Sequence, residues 1–423
     1  MKPLYRCVAG LDVHRMLYVL TVLMEQADGS LSKQQRQFTG FQRDVRELVA
    51  WLQSLGVQLV IMESTGIYWK SIYAALEAAG IPAHVVNARH VKNVPGRKTD
   101  IADSEWLAQL GRFGLVRPSF IPPKDLRELR LVSRYRQKLS QMQASEKNRL
   151  HKLLDDAGIK LGAVGEAPRR RLDADIDGIS ARAMIEGLIA GQPIEQLAEM
   201  AKGVMRKKRE VLEFSLEGEL TARHRLVLEH VQAHNRYLEA ELAKLDAYLI
   251  EAMAPYREYW QLLQTIPGID QISAAMILIE IGDDLSAFAN AKHLASWVAL
   301  CPGNHESAGK RKTGKTRKGN HAIRYLLCEA ANAARQTKSA LHQKYQSLVA
   351  RRGHKKAIIA VAHQIIRTIY VLFTRRQAYR DSGFDYQAAL VKKNAPRWIK
   401  ALKRYGYWPK SDANAHPALN PAR

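Results

Sequence analysis

Four carboxylates and one serine in this chain could do chemistry. Asp12 stands in the apolar run CVAGLDV, and Glu63 closes the apolar run VQLVIME. Asp100 and Asp103 lie three residues apart in KTDIADSEWLA, a spacing that puts both on one face of a helix. Carboxylates are hard oxygen donors that suit Mg2+ or Mn2+. Two such ions about 4 Å apart polarise a phosphodiester and stabilise its attacking and leaving oxygens. Each residue also has a plainer role open to it. An Asp after a strand commonly turns the chain, and Asp100 or Asp103 could cap the helix. Glu105 points to another face of that helix and reads as solvated, and His14 reads as local packing.

Ser307 heads the stretch HESAGKRKTGKTRKGN. Lys310, Arg311, Lys312, Lys315, Arg317, Lys318 and Arg324 follow it, with Gly309, Gly314 and Gly319 interspersed. Glycines let a backbone close round a phosphate, and the bases would neutralise several phosphates. On these residues alone the stretch is a phosphate-gripping loop whose serine at most donates a hydrogen bond. A serine hydroxyl is a weak nucleophile until a base or a metal activates it. His305 and His321 are near in sequence, but no triad spacing accompanies them.

The elements that must position these residues fall in three groups. Residues 7–13 and 18–24 and SKQQRQF read as strands, FQRDVRELVAWLQSLG as a helix, and VQLVIME as a buried strand. IYWKSIYAALEAAG, IPAHVVN and DIADSEWLAQLGR follow as helix, strand and helix. The order β-β-β-α-β-α-β-α within about 115 residues is an α/β domain of RNase H-like arrangement. There the first and fourth strands are neighbours and the third helix crosses their ends, so the four carboxylates would converge. VRPSFIPPKDL, rich in proline, marks a boundary. Beyond it Leu126 to Leu153 and Leu228 to Leu249 repeat at helical spacing, interrupted at Glu146 and at His234–Asn235. Such helices form an antiparallel pair, an intermolecular coiled coil, or both. From Tyr259 a compact helical domain is expected, and QTIPGIDQISAAMILIEIG in it resembles a helix-hairpin-helix element. The domains are therefore drawn at 1–115, 116–258 and 259–380, with an extension at 381–423 whose tail from Asp412 looks disordered.

Charge separates these groups. The 423 residues carry a net +24, of which residues 1–115 hold +3 and the remainder +21. That excess points to a polyanionic partner, nucleic acid being the usual one. Three isolated cysteines, no zinc spacing and no secretory hydrophobic core at the N-terminus point to a cytoplasmic protein. The apolar stretch AIIAVAHQIIRTIYVLF is broken by His363, Gln364 and Arg367 and reads as a buried helix, so no membrane partner is expected.

GLDVH, IMESTGIYW, KTDIADSEWLA, IPGIDQISAA and CPGNHESAGKRKTGKTRKGN occur in one order along residues 7 to 375. Through them the chain resembles the bridge-RNA-guided DEDD transposases of bacterial insertion sequences, related to Piv-type DNA invertases. The resemblance implies a RuvC-like N-terminal domain that holds Mg2+ with Asp12, Glu63, Asp100 and Asp103. It implies a coiled-coil middle and an all-α C-terminal domain whose Ser307 joins transiently to DNA as a phosphoserine. It implies donor and target DNA chosen by a structured non-coding guide RNA, a homodimer or homotetramer, and work at the bacterial nucleoid. With both a carboxylate set and a serine in place, Ser307 becomes the expected nucleophile. A nuclease that uses water is the alternative. Arg127, Arg130, Arg134, Arg136 and Lys138 are the guess for RNA contacts on the first long helix.

Overall fold

The apolar runs of the N-terminal part become one sheet. β1 (Cys7–Val13), β2 (Leu17–Glu25) and β3 (Leu31–Thr39) form an antiparallel meander. β4 (Leu59–Glu63) and β5 (Ala83–Val86) add in parallel on the other side of β1, giving the order β3-β2-β1-β4-β5. β1 and β4 are buried on both faces, which is why they read as unbroken apolar runs. β3, the polar edge, is largely exposed. This computed structural model describes residues 2–64, 66–87, 91, 103–161, 178–303, 305–307, 310–313, 316, 319–381, 383 and 386–407. It forms two compact units, Met1–Lys124 and Asp125–Arg423.

In the first unit each face of the sheet has its own core. Leu11, Val60 and Met62 pack with Leu48 and Leu52 of α1 (Gln42–Ser54) and Ile72 and Leu76 of α2 (Trp69–Ala78). On the other face Val8, Leu59, Ile61 and Val86 meet Trp106, Leu107 and Leu110 of α3 (Asp103–Arg112). Full burial of each such leucine stabilises the fold by about 2 kcal/mol. α3 lies so close to β1 that a Cβ on Gly10 would stand 1.9 Å from the Ser104 carbonyl oxygen and 2.4 Å from the Ala108 nitrogen. Only glycine admits that approach. A buried hydrogen bond between Thr21 and Ser104, 2.8 Å, fixes the same end of α3 to β2.

The second unit is mostly helical. α4 (Lys124–Asp156) and α8 (Ala222–Glu251) run antiparallel within one chain. Their bonded pairs descend in order: Arg136–Asp246, Gln143–Glu239, Glu146–His234 and Asp156–His224. The breaks that the sequence shows at Glu146 and His234 are thus one feature, two polar residues that bond each other across the seam at 3.2 Å. Among the described residues between the long helices lie the short α-helices α5 (Ile179–Ile189), α6 (Ile194–Glu199) and α7 (Arg209–Leu216). Met184, Ile185, Leu197 and Leu212 from them close a core with Leu150, Leu154 and Leu228 of the long pair.

The remainder comprises α9 (Arg257–Gln264), α10 (Gln271–Ile281), α11 (Ala291–Trp297), α12 (His321–Ala334), α13 (Ala340–Arg352) and α14 (His354–Arg375). One correction follows. An all-α C-terminal domain was expected, but β6 (His305–Ser307) and β7 (Lys310–Thr313) form a two-stranded antiparallel hairpin. Its short polar strands have no apolar alternation to announce them, and cross-strand pairing defines them. The extension beyond 380 holds a further helix, α15 (Tyr386–Arg404), which packs on α13. The tail from Asp412 lies outside the described residues.

α14 is long and apolar enough to cross a membrane by composition alone. Ile358, Val361, Ile365, Ile366 and Ile369 are buried, however, and the helix packs with α11, α12 and α13 as the core of this region. Gly268, in the turn between α9 and α10, has φ +89°, and a Cβ there would stand 2.4 Å from the Ala330 carbonyl oxygen of α12. This glycine serves helix packing inside the protein, a different use from the phosphate approach that the helix-hairpin-helix resemblance suggests.

Candidate active site

Alternation along the strands decides which carboxylates can meet. Val8 and Gly10 face α3, so Asp12, two residues further, faces it too. Leu59 and Ile61 face α3, so Glu63 does as well. Leu11 pairs with Met62 in the parallel ladder, which sets Asp12 and Glu63 at the next matched position. Both are half-buried at the C-terminal ends of neighbouring strands. α3 runs against β1, with Ser104 and Ala108 over Gly10, so its first residue, Asp103, starts at this same end. Asp103 is exposed. The partial positive charge of a helix N-terminus favours the carboxylates gathered there.

Asp100 lies outside the described residues. Among the described residues no group of three His, Cys, Asp or Glu side chains is assembled that could hold a metal ion. Asp12, Glu63 and Asp103 are therefore brought to one end of one face without being closed round a common point.

Two neighbours differ from expectation. His14, read as local packing, shares the face of Asp12, and its Nε2 lies 3.1 Å from Asp12 Oδ2. The i, i+2 spacing in DVH was the signal for it. Glu105, read as solvated, is half-buried and accepts a hydrogen bond from Lys33 Nζ at 3.0 Å. β3 reaches it from the far edge of the sheet, which sequence spacing on the helix could not reveal.

Ser307 ends β6 and pairs in register with Lys310, the first residue of β7. Arg311 pairs with Glu306, and Lys312 is the next residue of β7. A bridge between Pro302 and Thr316 closes the base of the hairpin. Lys315, Arg317 and Lys318 lie outside the described residues. Arg324, in the first turn of α12, donates from Nη1 to Thr316 Oγ1 at 3.3 Å, so it braces the hairpin base.

One buried charge supports this hairpin and was not foreseen. Glu280 of α10 is fully buried. It accepts two hydrogen bonds from Arg134, at 2.8 and 3.0 Å, and stands 3.4 Å from Arg130 Nε. It also accepts from Asn320 Nδ2 at 2.7 Å, and Asn320 Oδ1 caps the N-terminus of α12. Burial alone would push the Glu280 carboxyl up, but the Arg134 hydrogen bonds and the Arg130 and Arg134 charges outweigh it and hold it below the ordinary 4.5. Burial pulls Arg130 down to about 10, still charged at neutral pH. Arg130 and Arg134, with Arg136 bonded to Asp246 at 2.7 Å, thus serve the protein's own architecture.

Comparison with known proteins follows the same division. A family model for DEDD transposases of the IS110 type matches residues 9–159, which hold Asp12, Glu63, Asp100 and Asp103. A second, described as Transposase IS116/IS110/IS902 family, matches residues 260–346, which hold Ser307 and the basic stretch. The transposase for insertion sequence element IS1111A of Coxiella burnetii is 26% identical over 79% of this chain and 82% of its own length. The pilin gene-inverting protein of Moraxella bovis is 29% identical over 28% of this chain and 38% of its own. Among solved structures, that of Thermus thermophilus RuvC is 16% identical, with a TM-score of 0.22, over 27% of this chain and 99% of that one.

Proposed function

We propose that this chain, which matches IS110-type transposase models over residues 9–159 and 260–346, is an RNA-guided recombinase working through a covalent phosphoserine. The observation that supports this reading is the pairing of two unlike parts. One matched region turns carboxylates to a single sheet end, and the other sets a serine at the end of a strand paired to a basic one. A nuclease that relies on metal alone has no use for the serine, and a serine enzyme without metal has no use for the carboxylates.

In this mechanism Asp12, Glu63, Asp100 and Asp103 would hold Mg2+ or Mn2+. Their all-oxygen donor set fits such ions, and the first two already share a face. The bound metal supplies stabilisation of the charge that develops on the phosphate. His14 holds Asp12 in its rotamer. Ser307 Oγ attacks phosphorus and gives up its proton, the P–Oγ bond forms, and the bond to the leaving sugar oxygen breaks as that oxygen gains a proton. A free sugar hydroxyl then reverses the step on the new strand, so the phosphoester energy is kept and no nucleotide cofactor is needed. Lys310, Arg311, Lys312, Lys315, Arg317, Lys318 and Arg324 neutralise the DNA phosphates round the serine. A structured guide RNA pairs with donor and target DNA. At least two copies of the chain, as a homodimer or homotetramer, hold the ends to be exchanged at the nucleoid.

The test is a denaturing gel of purified protein, Mg2+, labelled element-end DNA and RNA from the flanking non-coding region. A labelled band of protein size, lost in Ser307→Ala, supports the covalent route. Cleavage without that band and unchanged in Ser307→Ala leaves water as nucleophile and returns the serine to phosphate binding. Asp12→Ala should abolish cleavage by either route while RNA binding persists; unchanged cleavage would remove the carboxylates from the site.

A further inference from the structure

α15 presents a surface that neither matched region covers, since the second ends at residue 346 and α15 spans Tyr386–Arg404. Its sequence, YQAALVKKNAPRWIKALKR, has six Lys and Arg and no carboxylate, the flanking acids being Asp385 and Asp412. At about 100° per residue, Lys392, Lys393, Arg397, Lys400, Lys403 and Arg404 fall on a single arc of about 140° that runs about 18 Å along the helix. All six are exposed. Away from this arc, Ala395 and Ile399 are half-buried where the helix packs on α13. Val391, Trp398 and Leu402 beside them stay exposed, so the helix holds its cations and part of its apolar side outward.

The cost of that arrangement points to a partner. Like charges three and four residues apart destabilise a helix by about 0.2–0.5 kcal/mol per pair. Pro396, inside the helix, removes a backbone hydrogen bond as well. Elsewhere in this unit helix arginines are neutralised internally, as Arg134 is by Glu280, Arg136 by Asp246 and Arg182 by Glu239. Among the described residues the six cations of α15 have no such carboxylate.

We propose that this basic face of α15 docks on the phosphodiester backbone of nucleic acid, read through its charge rather than its bases. The proposal goes beyond the covalent mechanism and does not depend on it. A row of phosphates matches the face in charge and in linear extent. A membrane surface is the other anionic plane such a helix could meet, and the vesicle probe below separates it from nucleic acid.

The experiment compares the full chain with the variant Arg397→Gln/Lys400→Gln/Lys403→Gln/Arg404→Gln. Three probes are used: a random-sequence DNA duplex, an RNA hairpin, and vesicles of phosphatidylserine and phosphatidylcholine. Each phosphate that the variant no longer neutralises should reduce the slope of log affinity against log salt by about 0.9 on the duplex. With two or more phosphates released in this way, binding should weaken about tenfold or more at physiological salt. A charge-keeping swap, Arg397→Lys/Lys400→Arg/Lys403→Arg/Arg404→Lys, should bind as the native chain does. Weakening on the duplex alone assigns the face to DNA, and weakening on the hairpin alone assigns it to RNA. Unchanged slopes on both overturn the proposal, whether or not vesicle binding falls. So does an equal weakening in the charge-keeping swap, which would mark damage to the fold.

Discussion

Glu280 shows how much can hang on one side chain. In QISAAMILIEIG it reads as an ordinary polar residue near the end of an apolar helix, because the arginines that neutralise it lie 146 and more residues away. Removing one partner of a buried ion pair typically costs about 3–5 kcal/mol, so Glu280→Ala should destabilise the second unit by that order, seen as a lower urea midpoint. The pH dependence has a definite sign. A carboxyl held below 4.5 in the fold contributes stability that is present above pH 4.5 and lost as pH falls through the folded value. The urea midpoint should therefore drop on acidification below pH 4.5, and the drop should be shallower in Glu280→Ala. Asp12 and Glu63 were legible by contrast, because strand ends and alternation are local signals. The glycine that lets α3 approach them makes the next prediction. Gly10→Ala puts a methyl against the backbone of Ser104. It should cost about 1–3 kcal/mol, seen as a lower melting temperature, and should reduce cleavage by pushing back the helix that begins with Asp103.

At the scale of elements, legibility tracked apolar pattern. The five strands of the sheet, α1, α2 and the two long helices all carry such a pattern, and all were placed within a few residues. The hairpin of β6 and β7 carries none, and its short polar strands read as loop. α5, α6 and α7 are short, and only the long pair completes their core. α15 carries six cations and a proline, and its Val391, Trp398 and Leu402 stay exposed, so it left no core signature. The IPGID turn was recognised as an element while the use of its glycine was not, since that depends on α12 more than sixty residues on. Gly268→Ala must place a side chain at φ +89° and against Ala330 and Ala334. A thermal melt should show a loss of about 1–3 kcal/mol, the cost of overpacking. An unchanged melt would mean that α12 is free to move aside.

For the whole molecule the division of charge matters most. The first unit, residues 1–124, carries a net of only +5 and closes two cores of its own. A fragment ending at Lys124 should fold cooperatively, bind duplex DNA weakly, and show a shallow dependence on salt. The full chain should bind tightly and lose affinity steeply as salt rises. A fragment as salt-sensitive as the full chain would refute the assignment of the grip to the second unit.

The network round Glu280 also bears on how copies of such a chain diverge. One carboxylate answers to Arg130, Arg134 and Asn320, which lie on two other elements. No one of the four can change alone without stranding charge or a helix cap in the interior. Relatives that drift apart elsewhere should therefore inherit the quartet intact or lose all four together, with an apolar cluster in its place. A lineage caught between those states would leave the long helix pair, and the helix that follows the serine hairpin, without their common anchor.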